Sequence, residues 1–206
     1  LEVLAHARAG RTPRYWFTPV EESQAGGTTR DRLLNSLLPL AGWFVGNPLP
    51  RPVYAGPDDA ERIACMIETL RKVHGGCIVL TDPSGAVRLC SDSMRRSATM
   101  NGVVFIVGGE PVTTLKREII EKAGAACSPL YVFIEGGYMA IGCLTPEQAD
   151  DMHVLGDSIA MVQHEHFVAH AGTSVRAFLV TTLLRTSPKL LLNVQPGDYG
   201  TIEQRQ

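Results

Sequence analysis

The 206-residue chain has no apolar run approaching the length of a membrane-spanning helix, which needs about 18 residues. No stretch combines a basic start, an apolar middle and a small-residue cleavage site, so none reads as a secretory signal. Neither sign of charge is in excess: 19 Lys and Arg stand against 21 Asp and Glu, a net charge of −2. That balance gives no electrostatic basis for a nucleic-acid or membrane partner. Cysteine is sparse. Cys65, Cys77, Cys90, Cys127 and Cys143 are odd in number and scattered, which is not a disulfide framework and fits a reducing, cytoplasmic setting. Apolar residues make up 45% of the chain, enough for a sizeable core. The chain starts at Leu1 and ends at Gln206 within a strand-like pattern, so it reads as an internal piece of a longer protein.

Residues 1–10 read as the tail of a helix, Arg14–Pro19 as β-favouring, and Arg30–Phe44 as a helix ending or kinking near Pro39. The prolines of Asn47–Pro57 require extended or turning backbone. The plainest helix follows. Pro57 stands at its start, Asp58, Asp59 and Glu61 fill its first turn, and Ile63, Met66, Ile67 and Leu70 recur at helical spacing. Arg71, Lys72 and His74 complement its C-terminal dipole, and Gly75 stops it.

Cys77–Thr81, Val103–Val107 and Leu130–Ile134 are apolar strands, separated by helices at Ala86–Ala98 and Thr113–Ala123. Apolar strands alternating with helices predict an α/β fold, with a mostly parallel sheet covered on both faces. After Leu144 the pattern changes to short β-like runs: Met152–Leu155, Ile159–Gln163, Ala177–Thr182, Lys189–Val194 and Tyr199–Glu203. The expected organisation is a three-layer α/β part over residues 1–144 and a barrel-like, truncated β-rich lobe over 145–206.

Three segments carry candidate chemistry. Gly108-Gly109-Glu110-Pro111 directly follows an apolar strand, at the strand end where open α/β sheets bind ligands. Glycine there lets backbone approach a flat or anionic group. Tyr131 and Glu135 bracket the end of the next strand; a Tyr can stack on a base, and a Glu oxygen can ligate Mg²⁺. Asp198, in Gly197-Asp198-Tyr199-Gly200, can accept hydrogen bonds from two ribose hydroxyls. Each taken alone also reads as an ordinary turn or strand end. Ala25–Arg30 reads as a solvated loop rather than a phosphate cradle, lacking the Gly and Lys such a loop needs. His164, His166 and His170 read as solvated residues near a hairpin tip at Gln163–Gly172.

In order, these segments resemble the adenylate-forming (acyl and aryl-CoA ligase) superfamily, and within it the phenylacetate–CoA-ligase-like branch. The resemblance covers residues 100–203 well and residues 12–100 only in general pattern. It implies that Gly108, Gly109, Glu110 and Pro111 wall the adenine, Tyr131 stacks on it, Asp198 binds the ribose and Glu135 ligates Mg²⁺. It further implies ATP or AMP as ligand, a small carboxylic acid as substrate and coenzyme A as co-substrate. Cys143 and His153 match half of a structural Zn²⁺ site. Val132 stands where the family has Gly, and Ile134 where it has Thr. The phosphate loop and the C-terminal catalytic Lys would lie outside this chain, so the piece is expected to be inactive alone. A non-catalytic nucleotide-binding or interaction domain of the same fold is the alternative. Apolar surface left uncovered in such a piece, with Leu37–Leu40, Trp43 and Phe44 as candidates, predicts a homodimer or larger assembly.

Overall fold

The structure, a computed structural model, describes residues 13–18, 37, 44, 50, 52–56, 59–133, 135–143, 145–187 and 189–204. The expectations for residues 1–10, for the loop at 25–30, for nearly all of 30–44 and for Pro57, Asp58 and Ile134 lie outside them. The chain divides into two compact units, Leu1–Ile63 and Ala64–Gln206. Residue 144, where the sequence changes pattern, falls inside the second.

In the first unit, β1 (Trp16–Thr18) and β2 (Pro52–Tyr54) pair in parallel, with Trp16 opposite Pro52. The Asp59 carboxylate accepts from the Gly56 N–H at 2.9 Å and pairs with Arg62 at 3.3 Å. That fixes the start of α1 (Ala60–His74), whose C-terminal end keeps the basic residues read from sequence. Gly75 closes it at φ 77°, its N–H donating to Arg71 O.

The second unit holds a five-stranded sheet of β3 (Cys77–Thr81), β4 (Val103–Val107), β5 (Ala126–Phe133), β6 (Gly137–Gly142) and β7 (Met152–Val154), in that spatial order. β3, β4 and β5 are parallel, joined through α2 (Pro83–Arg95) and α3 (Thr114–Lys122). β6 and β7 are antiparallel, so the sheet is mixed and the expectation of a mostly parallel one is corrected. The reason is connection length. Only a short turn separates Phe133 from Gly137, and a parallel pairing there would need a crossover of a dozen or so residues.

Helix α2 begins three residues before the sequence reading. Asp82 is its N-cap, accepting from the Gly85 N–H at 2.6 Å, and Pro83 occupies the first helical position. Asp-Pro-Ser-Gly has the composition of a turn, yet its first two residues are a cap and a helix-starting proline.

α2 packs on β4, and α3 packs on β5 and on α2. Val103, Phe105 and Val107 of β4 are buried with Leu89, Cys90 and Ile120. The alternate residues point to the other face, where Ile78 is 50% exposed and Val104 36%. Coverage of both faces is therefore not met at these strands, although their apolar runs are continuous.

β8 (Ile159–Val168) and β9 (Thr173–Thr182) form a long hairpin turning at residues 169–172. Most of the expected tip at 163–172 is thus strand, and His164 and His166 lie on one face of it, ring centroids 5.9 Å apart. The runs expected at 189–194 and 199–203 are isolated bridges to β9, Val180 with Val194 and Ala177 with Tyr199. Met139, Ile159, Val180 and Leu191 form a core cluster against which Tyr131, Phe133 and Met161 pack. That core joins β5 and β6 to the hairpin. All five cysteines are free thiols. Among the described residues, no helix is long and apolar enough to cross a membrane.

Candidate functional site

The site is built where β5 leaves the parallel sheet. Its parallel register with β4 ends at Pro129, and from Leu130 it pairs with β6. The β5–β6 register shifts between Tyr131 and Val132, whose partners are Ala140 and Tyr138, so the extra residue of the irregularity is Met139 on β6. The Tyr131 hydroxyl donates to Asp198 Oδ2 at 2.6 Å, across 67 residues of sequence. Its ring lies 6.4 Å from that of Phe178, tilted by 45°. Burial first, and then the hydrogen bond and charge of Asp198, push the Tyr131 phenol well above its usual range. Asp198 Oδ1 has no hydrogen-bond partner among the described residues, so one carboxylate oxygen stays open to a ligand.

Asp198 is held by its backbone. The Phe178 N–H donates to Asp198 O at 3.0 Å, and the Gly200 N–H donates to Arg176 O at 3.1 Å. Gly200 lies close under Phe178: a Cβ there would be 2.9 Å from Phe178 Cζ, so the ring would have to shift. The same phenylalanine therefore borders both Tyr131 and the Asp198 turn.

The glycine loop abuts β5 at the residue before Tyr131. Gly108 donates its N–H to Thr81 O at 3.2 Å, and a Cβ on it would lie 2.9 Å from Leu130 O, the residue before Tyr131. Gly109 turns the chain at φ 87°, with open space where a side chain would be. Glu110 has a different task. Its Oε1 accepts from the Ser84 N–H at 2.7 Å and its Oε2 pairs with Lys116 at 3.0 Å, tying the loop to the start of α2. The Ser84 hydrogen bonds, and after them Lys116, hold the Glu110 carboxyl below its usual range. Pro111 is exposed.

The structure thus brings Tyr131 and Asp198 together, and sets Gly108 against the residue that precedes Tyr131. Glu135, at 47% side-chain exposure, pairs loosely with Lys189 at 4.0 Å. Cys143 and His153 share a face of the β6–β7 pair as diagonal neighbours, because Ile141 faces His153 and the Cys143 N–H donates to Asp151 O. Among the described residues, no group of three His, Cys, Asp or Glu side chains could hold a metal. A cavity of about 450 Å³ lies along the hairpin, lined by Gln163, His164, Glu165, Ser174, Val175 and Arg176, and includes none of Gly108, Tyr131 and Asp198.

Two residues at the site were not singled out from sequence. Phe178 carried no signal beyond an apolar strand. Gln163 did carry one, being a polar residue in phase with Ile159 and Met161 on the inward side of β8.

No protein-family model matches the chain, and no curated protein does. Among solved structures, it is similar to the luciferase-like enzyme from the nonluminescent Zophobas morio mealworm, at 13% identity over 72% of this chain, with a TM-score of 0.41. The chain spans 35% of that protein's length.

Proposed function

We propose that this chain supplies the adenine and ribose side of a nucleotide site in an ATP-dependent, acyl-adenylate-forming carboxylate–CoA ligase of the cytoplasm, and that it does not catalyse alone. The observation that carries this reading is the 2.6 Å bond between Tyr131 and Asp198, beside Gly108 packed on the carbonyl before Tyr131. Residues far apart in sequence thereby offer an aromatic face and an open carboxylate oxygen in one place, with bare backbone against the strand that carries Tyr131, groups a purine nucleoside can use.

The chemistry follows from these groups. Tyr131 presents its ring to the base while its hydroxyl fixes the Asp198 carboxylate. The free Oδ1 accepts a ribose hydroxyl. Glu135 would be one oxygen ligand of Mg²⁺, replacing its weak pairing with Lys189. Glu110 holds the glycine loop in place through α2 and leaves recognition of the base edge to the backbone. The acid, the thiol and the phosphate charge are handled by residues outside this set. Cys143 and His153 would form two of four Zn²⁺ ligands, the remainder coming from beyond them.

Calorimetric titration with AMP tests the reading. Saturable binding is expected, together with no carboxylate-dependent ATP–pyrophosphate exchange by the chain alone. Absence of AMP binding by folded protein overturns it. The second reading, a binding domain without catalysis, is favoured by Val132 and Ile134, which stand where the resembled family has Gly and Thr, Ile134 lacking the hydroxyl that would meet phosphate. The two separate when the longer protein is assayed for exchange.

A further inference from the structure

We infer that Gln163 is a positioning residue for Asp198, holding the ribose-side carboxylate by gripping the backbone that follows it; this rests on the nucleotide reading above. Gln163 lies in β8, opposite Phe178 of β9. Its side chain reaches past that neighbour to the segment after Asp198. Nε2 donates to Gly200 O, and the Ile202 N–H donates to Oε1 at 3.0 Å. The two backbone groups are a carbonyl and an N–H, so only one orientation of the amide satisfies both. The side chain thus does for residues 200–202 what a neighbouring strand would do.

Its location makes the residue informative. Ile159 on the same side of β8 is buried in the core cluster, and Met161 packs against that cluster. Withdrawing an amide from water at such a position is unfavourable unless both its ends are bonded, and an apolar residue would fill the space without that requirement. The gain is at Asp198. Upstream, Val194 and Val180 exchange backbone bonds of 2.8 and 3.0 Å. Downstream, once the Gly200 N–H has bonded Arg176 O, Gln163 takes over. The Gly197-Asp198 turn is therefore fixed at both ends, and the carboxylate is aimed at Tyr131. Preorganising a binding group in this way raises affinity by reducing the entropy lost on binding.

The variant is Gln163→Met, which keeps an unbranched side chain of similar length and removes both polar ends. Two measurements are made on it. Amide hydrogen exchange, without ligand, is expected to lose at least about tenfold protection at Ile202 while β3–β5 stay protected. AMP affinity is expected to fall by roughly tenfold, with affinity for the free base adenine changed by less than about twofold, since the base meets Tyr131 and not Asp198. Unchanged exchange at Ile202, or equal losses for AMP and adenine, overturns the positioning role. If the unaltered chain binds neither ligand, the nucleotide reading fails and takes the ribose role with it; the exchange result then still reports, separately, whether Gln163 holds the segment.

Discussion

Replacing Tyr131 separates two contributions that the site combines. Tyr131→Phe keeps the ring beside Phe178 and removes only the hydroxyl that donates to Asp198. A hydrogen bond to a charged acceptor contributes about 1.5–3 kcal/mol when both partners are withdrawn from water. Asp198 is exposed, so solvent screening brings the expected loss to about 1 kcal/mol, readable as a lower urea midpoint with unchanged slope. Tyr131→Ala also removes the aromatic face, and base stacking on an aromatic side chain amounts to about 1–3 kcal/mol. AMP affinity should therefore fall about 5- to 150-fold for the alanine variant, and by about tenfold for the phenylalanine one, which releases the Asp198 carboxylate but keeps the ring. The phenol is raised above its ordinary range, chiefly by burial and then by Asp198. Its protonated form is thus the one the fold favours. The associated stability is fully present below the unfolded-state value of about 10 and is lost as pH climbs through the higher folded-state value. Alkaline unfolding should be shallower in Tyr131→Phe than in the unaltered chain. An alanine variant that is folded and binds AMP as tightly as the parent chain would refute the reasoning, as would coincident alkaline curves for parent and Tyr131→Phe.

Two further outcomes follow from contacts outside the Tyr131–Asp198 pair. Glu110 is held below its usual range by Ser84 and then Lys116, so its stabilisation is present above the unfolded value of about 4.3 and disappears as pH falls through the lower folded one. Glu110→Gln should cost about 1 kcal/mol or less at neutral pH, as loss of a helix-start contact does, and chemical denaturation at pH 7 and pH 3 should show the difference vanish at the acid end. Exposed apolar side chains on one sheet face, Ile78 at 50% and Ile141 at 44%, favour self-association. Light scattering should give a dimer or larger, weakened by Ile78→Lys; a monomer at high concentration contradicts this.

Elements with locally consistent signals were legible in the sequence. The helix ending at Gly75 agreed in period, charge and stop residue, and it forms as Ala60–His74. The strands Cys77–Thr81 and Val103–Val107 form with the bounds read from their apolar runs. Burial on each face did not follow from those runs, because composition does not say what packs against a strand. The mixed sheet was hidden for a related reason: pairing direction is set by the short turn after Phe133, and the apolar character of β5 is the same in either direction. At the site, Gly108, Tyr131 and Asp198 were legible as residue types at strand ends. The role of Glu110 was not, since its partner Ser84 lies 26 residues away and the cap it completes belongs to a helix whose start had been read three residues late.

The Tyr131–Asp198 pair sits where β5 leaves parallel for antiparallel pairing. The antiparallel turn-back joins β5 and β6 to the β8–β9 hairpin through Met139, Ile159 and Val180, and Tyr131 packs against that junction. The Asp198 turn reaches the same junction by bridging to β9. A site so placed draws one half from each side of the change in sequence pattern near residue 144. Tyr131 comes from one side and Asp198 from the other, so separating the two would break the bond that joins them even where each half stayed folded.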